Sequence, residues 1–267
     1  MDRYRIKPGK RVRLADWDPS DKRGFKPGKA EAEKRLDKLR DDLVELQEVL
    51  YAEGRHRLLV VLQGMDTSGK DGVIHRIFQG VNPQGVRVVS FKTPSSAELA
   101  RDYLWRVHQQ VPGRGEIVIF NRSHYEDVLI VRVHELVPKS VWRRRYDQIA
   151  DFERLLAEEG TTILKFFLHI SLEEQKVGFE ERLADPTKIW KFNPNDLKER
   201  ARWPEYMRAY EEAISRTSTD CAPWYVVPAD RKWFRDLLIA ETLVGTLKKL
   251  KMKYPQPDFD PAAIRID

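Results

Sequence analysis

The residues Gly64-Met65-Asp66-Thr67-Ser68-Gly69-Lys70 form a G-x-x-x-x-G-K run, and Asp71-Gly72 follow directly. Two glycines at this spacing let the backbone curl so that successive N–H groups face one phosphate. A helix starting at the lysine adds a partial positive charge, and Lys70 adds a whole one. The residue after the lysine is Asp71, where Walker A loops carry a Ser or Thr hydroxyl for magnesium. Asp66, a carboxylate inside the loop, is the obvious oxygen donor to take over that work for a hard divalent cation.

Two further stretches carry chemistry. Asn121-Arg122-Ser123-His124-Tyr125-Glu126-Asp127 follows the apolar run Glu116–Phe120. An arginine there can reach a phosphate, and the carboxylates come late, at Glu126 and Asp127. His124 has no ligand partner three or four residues on and is not read as a zinc ligand. The second stretch runs over about 180–202. It contains Arg182 and interleaves Lys188 and Lys191 with Trp190 and Phe192. A mobile basic segment over a phosphate site behaves as a lid that excludes water, the competing acceptor.

The elements that must position these residues follow from patterning. Leu58–Leu62 is an uncharged apolar run before the loop, and Val73, Ile74 and Ile77 recur at helical spacing after it. Strands are expected over 86–91, 116–120, 162–170 and 224–227. Helices are expected from Ser95 or Ser96 through Val107, from Pro138 to Gly160, after Ser171 in a capping box with Glu174, from Trp203, and from Phe234 to Leu250. Strands alternating with helices predict an α/β fold, a parallel five-stranded sheet with helices on both faces, and ligands bind such sheets at the C-terminal strand ends. Residues 1–27 read as an extended basic arm. Leu36, Leu39, Leu43, Leu46 and Leu50 predict an amphipathic helix that packs on the core or meets another subunit, and Gly54 ends it. The division expected is arm and helix over 1–54, P-loop core over 55–254 with the lid at 180–202, and a tail over 255–267. Arg143-Arg144-Arg145 cannot share one helix face and reads mostly as solvated surface.

Of the 267 residues, 41% are hydrophobic and 34% charged, which is the balance of a soluble globular protein. No apolar stretch reaches the roughly 18 residues of a membrane span, no secretory leader is visible, and the single cysteine fits a reducing cytoplasm. The formal charge of +6 points to a polyanionic partner.

The ordered set Gly64–Gly72, Phe120–Glu126 and Lys188-Ile189-Trp190-Lys191-Phe192 resembles the polyphosphate kinase 2 family, over about residues 48–254. The resemblance implies a thymidylate-kinase-like three-layer P-loop kinase fold with a lid, and magnesium (or manganese) as cofactor. It implies transfer of a terminal phosphoryl group between inorganic polyphosphate and AMP or ADP, making ADP and ATP. Asn-Arg-Ser-His-Tyr-Glu over 121–126 is similar to the class that accepts both acceptors. Other classes have Asp in place of Asn121, which shifts the metal onto Asp66. Family members are homo-oligomers; neither nucleic acid nor a membrane is an implied partner. The expected roles then follow from charge. Lys70 and the amides of Gly64, Met65, Thr67, Ser68, Gly69, Asp71 and Gly72 hold the transferring phosphate. Magnesium on Asp66 bridges donor and acceptor, and Arg122 and Arg182 stabilise the equatorial oxygens. Asn121, Lys188 and Lys191 contact phosphates, the two lysines along the polyphosphate chain, while Glu126 and Asp127 shape the nucleotide end or hold a second metal. The glycine loop taken alone also fits an ATP-dependent nucleoside monophosphate kinase, or a non-catalytic P-loop protein that binds polyanions or nucleotide.

Overall fold

A computed structural model describes residues 2–23 and 25–266; Met1 and Gly24 of the expected arm and Asp267 of the expected tail lie outside the described residues. The helices are α1 (Lys29–Glu53), α2 (Lys70–Ile77), α3 (Ser96–Leu99), α4 (Trp105–His108), α5 (Ile130–Val133), α6 (Lys139–Glu158), α7 (Leu172–Ala184), α8 (Asn195–Ala201), α9 (Trp203–Thr217) and α10 (Lys232–Lys249). The strands are β1 (Arg57–Gln63), β2 (Val86–Ser90), β3 (Ile117–Asn121), β4 (Thr161–His169) and β5 (Trp224–Pro228). All neighbours pair in parallel, in the order β2-β3-β1-β4-β5. β1 and β4 are buried along nearly their whole length, as expected of strands covered on both faces. The alternation of β4 sets the layers: Lys165 and Phe167 on one face meet Glu153 of α6 and Tyr210 of α9. Helix α10 packs against β4, β5, α1 and α2.

Register brings the chemistry to one edge. Leu62 of β1 pairs with Asn121 of β3, so the strand tips carrying the glycine loop and Arg122 lie side by side. The loop enters α2 at Lys70, and β3 runs into a 3₁₀ turn, His124–Val128, capped by the Ser123 hydroxyl.

Two sequence expectations are sharpened and two change. The arm is irregular but not loose: Tyr4, Ile6, Val12 and Leu14 are buried, and Ile6 N–H donates to Trp224 O at 2.8 Å. It covers the free edge of β5, which would otherwise present unpaired backbone groups. The leucine stripe is used within the chain, since Leu36, Leu43 and Leu50 are buried and α1 packs on α10. The helix expected through 95–107 is two helices, because the Asp102 carboxylate accepts from Leu104 N–H at 2.9 Å and starts a new turn. The Ser171 capping box is half made: its hydroxyl accepts from Glu174 N–H, but its own N–H donates to Asp230 at 2.8 Å. Gly54 ends α1 in the left-handed region, as its lack of a Cβ permits.

Candidate active site at the strand tips

The loop holds its shape through close contacts. Gly64 and Gly69 have φ of +156° and +89°. A Cβ on Gly69 would fall 2.0 Å from a guanidinium nitrogen of Arg235, and one on Gly64 would collide with Ser68. Arg235 reaches in from α10, donates to Ser68 O at 3.3 Å and pairs with Asp236 at 2.8 Å. On the other side, Gly178 of α7 lets Thr67 approach; a Cβ there would lie 2.7 Å from it. Gln175 donates to Asp66 O at 3.2 Å. Gly72 opens no comparably tight contact.

Lys70 does not extend into solvent. Its ammonium is buried and folds onto the loop, donating to Gly64 O at 2.8 Å and Met65 O at 3.2 Å. Burial, then the Arg122 charge, bring its pKa down to about 8, against the opposing pull of Asp66, Glu126 and Asp71. Arg122 has φ of +60° and donates to Asp66 Oδ1 at 2.7 Å. Glu126 lies near enough that its charge acts on Lys70, Arg122, Tyr206 and Tyr210. Two cations, two carboxylates and two phenols therefore meet at the mouth of the loop. Each cation disfavours the other, and an incoming phosphate relieves both.

The remaining candidates fall into two groups. Asp71 accepts from Asn121 at 2.8 Å and pairs with Lys191 at 3.3 Å, so Asn121 and Lys191 are joined through it. Arg182 pairs with Asp196 at 3.7 Å, and Lys188 pairs with its near neighbour Asp185 at 2.7 Å on the surface. Asp127 turns away from the loop, as a correction to its expected place. Its carboxylate meets Arg145 at 2.9 Å, and burial pushes its pKa up to about 6 despite that arginine. Arg145 is accordingly not surface: it lies under Tyr103, 4.5 Å from the ring centre, while Arg143 and Arg144 are exposed. Sequence reading missed Arg235, Gln175, Tyr206, Tyr210 and Asp196. None of these left a signal of its own; the nearest is Gly178, a glycine inside a helix, which marks the close approach beside Gln175. Burial, then the neighbouring Asp66, hold Asp196 above its ordinary value, so it shares the site.

A family model described as polyphosphate kinase 2 matches residues 26–255. The chain belongs to the polyphosphate kinase 2 family. It is 58% identical over 267 residues, all of both chains, to the AMP/ADP-polyphosphate phosphotransferase of Meiothermus ruber. It is 44% identical over 265 residues to the ADP-polyphosphate phosphotransferase of Rhodopseudomonas palustris, covering 95% of this chain and 91% of that one. Its fold superposes on the polyphosphate kinase 2 of Arthrobacter aurescens TC1 with a TM-score of 0.94 at 44% identity, covering 98% and 93% of the two chains. The parallel P-loop sheet and the phosphotransferase class follow from that membership. Among the described residues, no helix is long and apolar enough to cross a membrane.

Proposed function

We propose that the protein moves a terminal phosphoryl group between inorganic polyphosphate and AMP or ADP, making ADP and ATP, at the mouth of the Gly64–Gly72 loop. The observation that carries this reading is the convergence of Asp66, Lys70, Arg122 and Glu126 at the paired tips of β1 and β3. Phosphoryl transfer needs alignment and neutralised oxygens more than covalent help. Lys70 and the loop amides hold the transferring group. Arg122, fixed by Asp66, faces its equatorial oxygens. The acceptor is already a phosphate anion, so no strong general base is required. Lys191, through Asp71, and Lys188 guide the polyanion, and Arg182 stands behind them on α7. Asp127 acts one step back, holding Arg145 beneath Tyr103.

The residues fit a magnesium ion. Asp66 keeps Oδ2 beside its bond to Arg122, and Glu126 is a second carboxylate whose charge acts on Lys70 and Arg122. Among the described residues no three His, Cys, Asp or Glu side chains gather into a closed cage. Magnesium takes one or two carboxylates and leaves the rest of its shell to phosphates and water. When bound, the ion would neutralise and align phosphate oxygens; manganese can fill the same role. The test is incubation of the protein with polyphosphate, magnesium and AMP, with no other donor, reading ADP and ATP. Appearance of ADP and then ATP supports the reading. Product only after a nucleoside triphosphate is added would make the protein an ordinary monophosphate kinase.

A further inference from the structure

A polar network lies directly beneath the turn that carries Arg122 and Glu126. His124 and Tyr125 of that turn, Glu153 of α6 and Lys165 of β4 are all fully buried. The Lys165 ammonium donates to the Glu153 carboxylate, to the Tyr125 hydroxyl at 2.9 Å and to Thr217 O at 2.7 Å, which uses all three of its protons. Tyr125 in turn donates to Glu153 Oε1 at 2.9 Å, and His124 Nε2 donates to the same oxygen at 3.2 Å. Trp224 Nε1, donating to Thr217 Oγ1 at 2.9 Å, closes the floor. Four separate elements thus meet at one ion pair.

Such a pair is a poor source of stability, because removing two charges from water offsets their attraction; apolar side chains of the same size serve as well. The neighbours of Lys165 along β4 are apolar and would accept one. What the pair supplies is direction. Its bonds end on His124 and Tyr125, and the working residues Arg122 and Glu126 flank these two on either side. With 124 and 125 drawn down into the core, 122 and 126 are left facing the loop. Arg122 also holds a left-handed backbone, a conformation that persists only where the surroundings fix it. Ser123 adds a second tie, accepting from Gln63 of β1 at 3.1 Å.

We propose that Lys165 and Glu153 are positioning residues for phosphoryl transfer: through His124 and Tyr125 they set the height and tilt of the 122–126 turn, and so place Arg122 and Glu126 over the loop. The proposal rests on the reading that these two residues face the phosphates. The experiment compares wild type with Tyr125→Phe and with the double variant Glu153→Gln/Lys165→Met, which removes both charges and leaves none unpaired. Thermal midpoints, kcat, the KM for polyphosphate and amide hydrogen exchange are measured well below unfolding. The double variant is expected to unfold near the wild-type temperature, yet to lose about tenfold or more in kcat, with the KM for polyphosphate within about twofold, because the loop and lid lysines are untouched. Tyr125→Phe loses kcat in the same sense. Exchange should quicken at 122–128 and stay unchanged at 64–72. A kcat within about twofold of wild type in both folded variants would overturn the proposal. So would exchange that rises equally in both segments or in neither. If the wild type shows no polyphosphate-dependent turnover, the phosphotransfer reading fails by itself, and the exchange pattern still decides whether the network holds the turn.

Discussion

The strand tips and the segment between α7 and α8 both carry cations, yet those cations are held in opposite ways. At the tips, Lys70 is buried against loop carbonyls, Arg122 is locked to Asp66, and Arg235 supports the loop through Ser68. In the segment between α7 and α8, Trp190 is 74% exposed, Lys188 pairs with a residue three positions away, and Lys191 reaches Asp71 from the far side of the site. The base of the lid is tied most directly to the core: Arg200 donates to Leu172 O at 2.7 Å, Arg202 to Val133 O at 2.8 Å, and Glu199 accepts from Tyr206 and His134. The tips are built before the substrate arrives. The lid carries cations whose present partners, surface carboxylates, a polyanion can replace. Rigid charge suits a single reacting phosphate, and loosely paired charge suits a chain with no bases to read.

Breaking the rigid half should cost most. Lys70→Ala is expected to remove about 3–4 kcal/mol of transition-state stabilisation, a fall of roughly two to three orders of magnitude in kcat/KM, in a protein that still folds. The check is steady-state kinetics beside a thermal melt, and near-normal turnover by the folded variant would break the comparison. The pKa of about 8 gives the same residue a pH signature. Lys70 is cationic at pH 7 and loses its proton as pH rises through 8, so kcat/KM of the free enzyme should decline above that point. Stability moves the other way. The folded value lies below the unfolded one, the unfolded chain binds more protons between about 8 and 10.5, and unfolding free energy should rise across that window.

Glu126→Asn sharpens the comparison within the rigid half. AMP and ADP differ by one phosphate, so one pocket must place the attacking oxygen at two depths. The variant should lose more with AMP than with ADP. A tenfold change in the ratio of the two kcat/KM values corresponds to about 1.4 kcal/mol. Equal losses would assign Glu126 to the common chemistry instead.

The lid should give the smallest and most salt-sensitive effect. Lys188→Ala/Lys191→Ala is expected to raise the KM for polyphosphate about three- to tenfold with little change in kcat, and to flatten its dependence on ionic strength. Assays across a salt series with long and short polyphosphate measure this. A loss confined to kcat would place these lysines with the rigid group.

The sheet was legible because β1 and β3 are apolar runs and β4 is apolar but for Lys165, and the loop was legible because phosphate binding fixes glycine spacing. Both are local patterns. The supports were not. Ser68 and Arg235 are 167 residues apart, and Tyr125 and Thr217 are 92 apart. A lone lysine in a strand, such as Lys165, looks like an exposed position until the helix over it is known to carry Glu153. The orientation of Asp127 was hidden for the same reason, since Glu126 and Asp127 are chemically alike in sequence and only a 3₁₀ turn separates their directions. The arm over 2–23 is extended as read, but its place on a sheet edge was not legible, because it covers that edge without adopting any period.

Asp66 fixes Arg122, and we propose that the transfer centre is assembled around it, with its other oxygen left for the metal. The direct measurement is kcat/KM with polyphosphate and ADP for wild type and Asp66→Asn across a range of free magnesium. The variant keeps size and polarity and loses only charge. It should fall about a hundredfold or more at limiting magnesium, with the half-saturating concentration shifted upward and the deficit shrinking as magnesium rises. Full activity of Asp66→Asn at limiting magnesium would contradict the account.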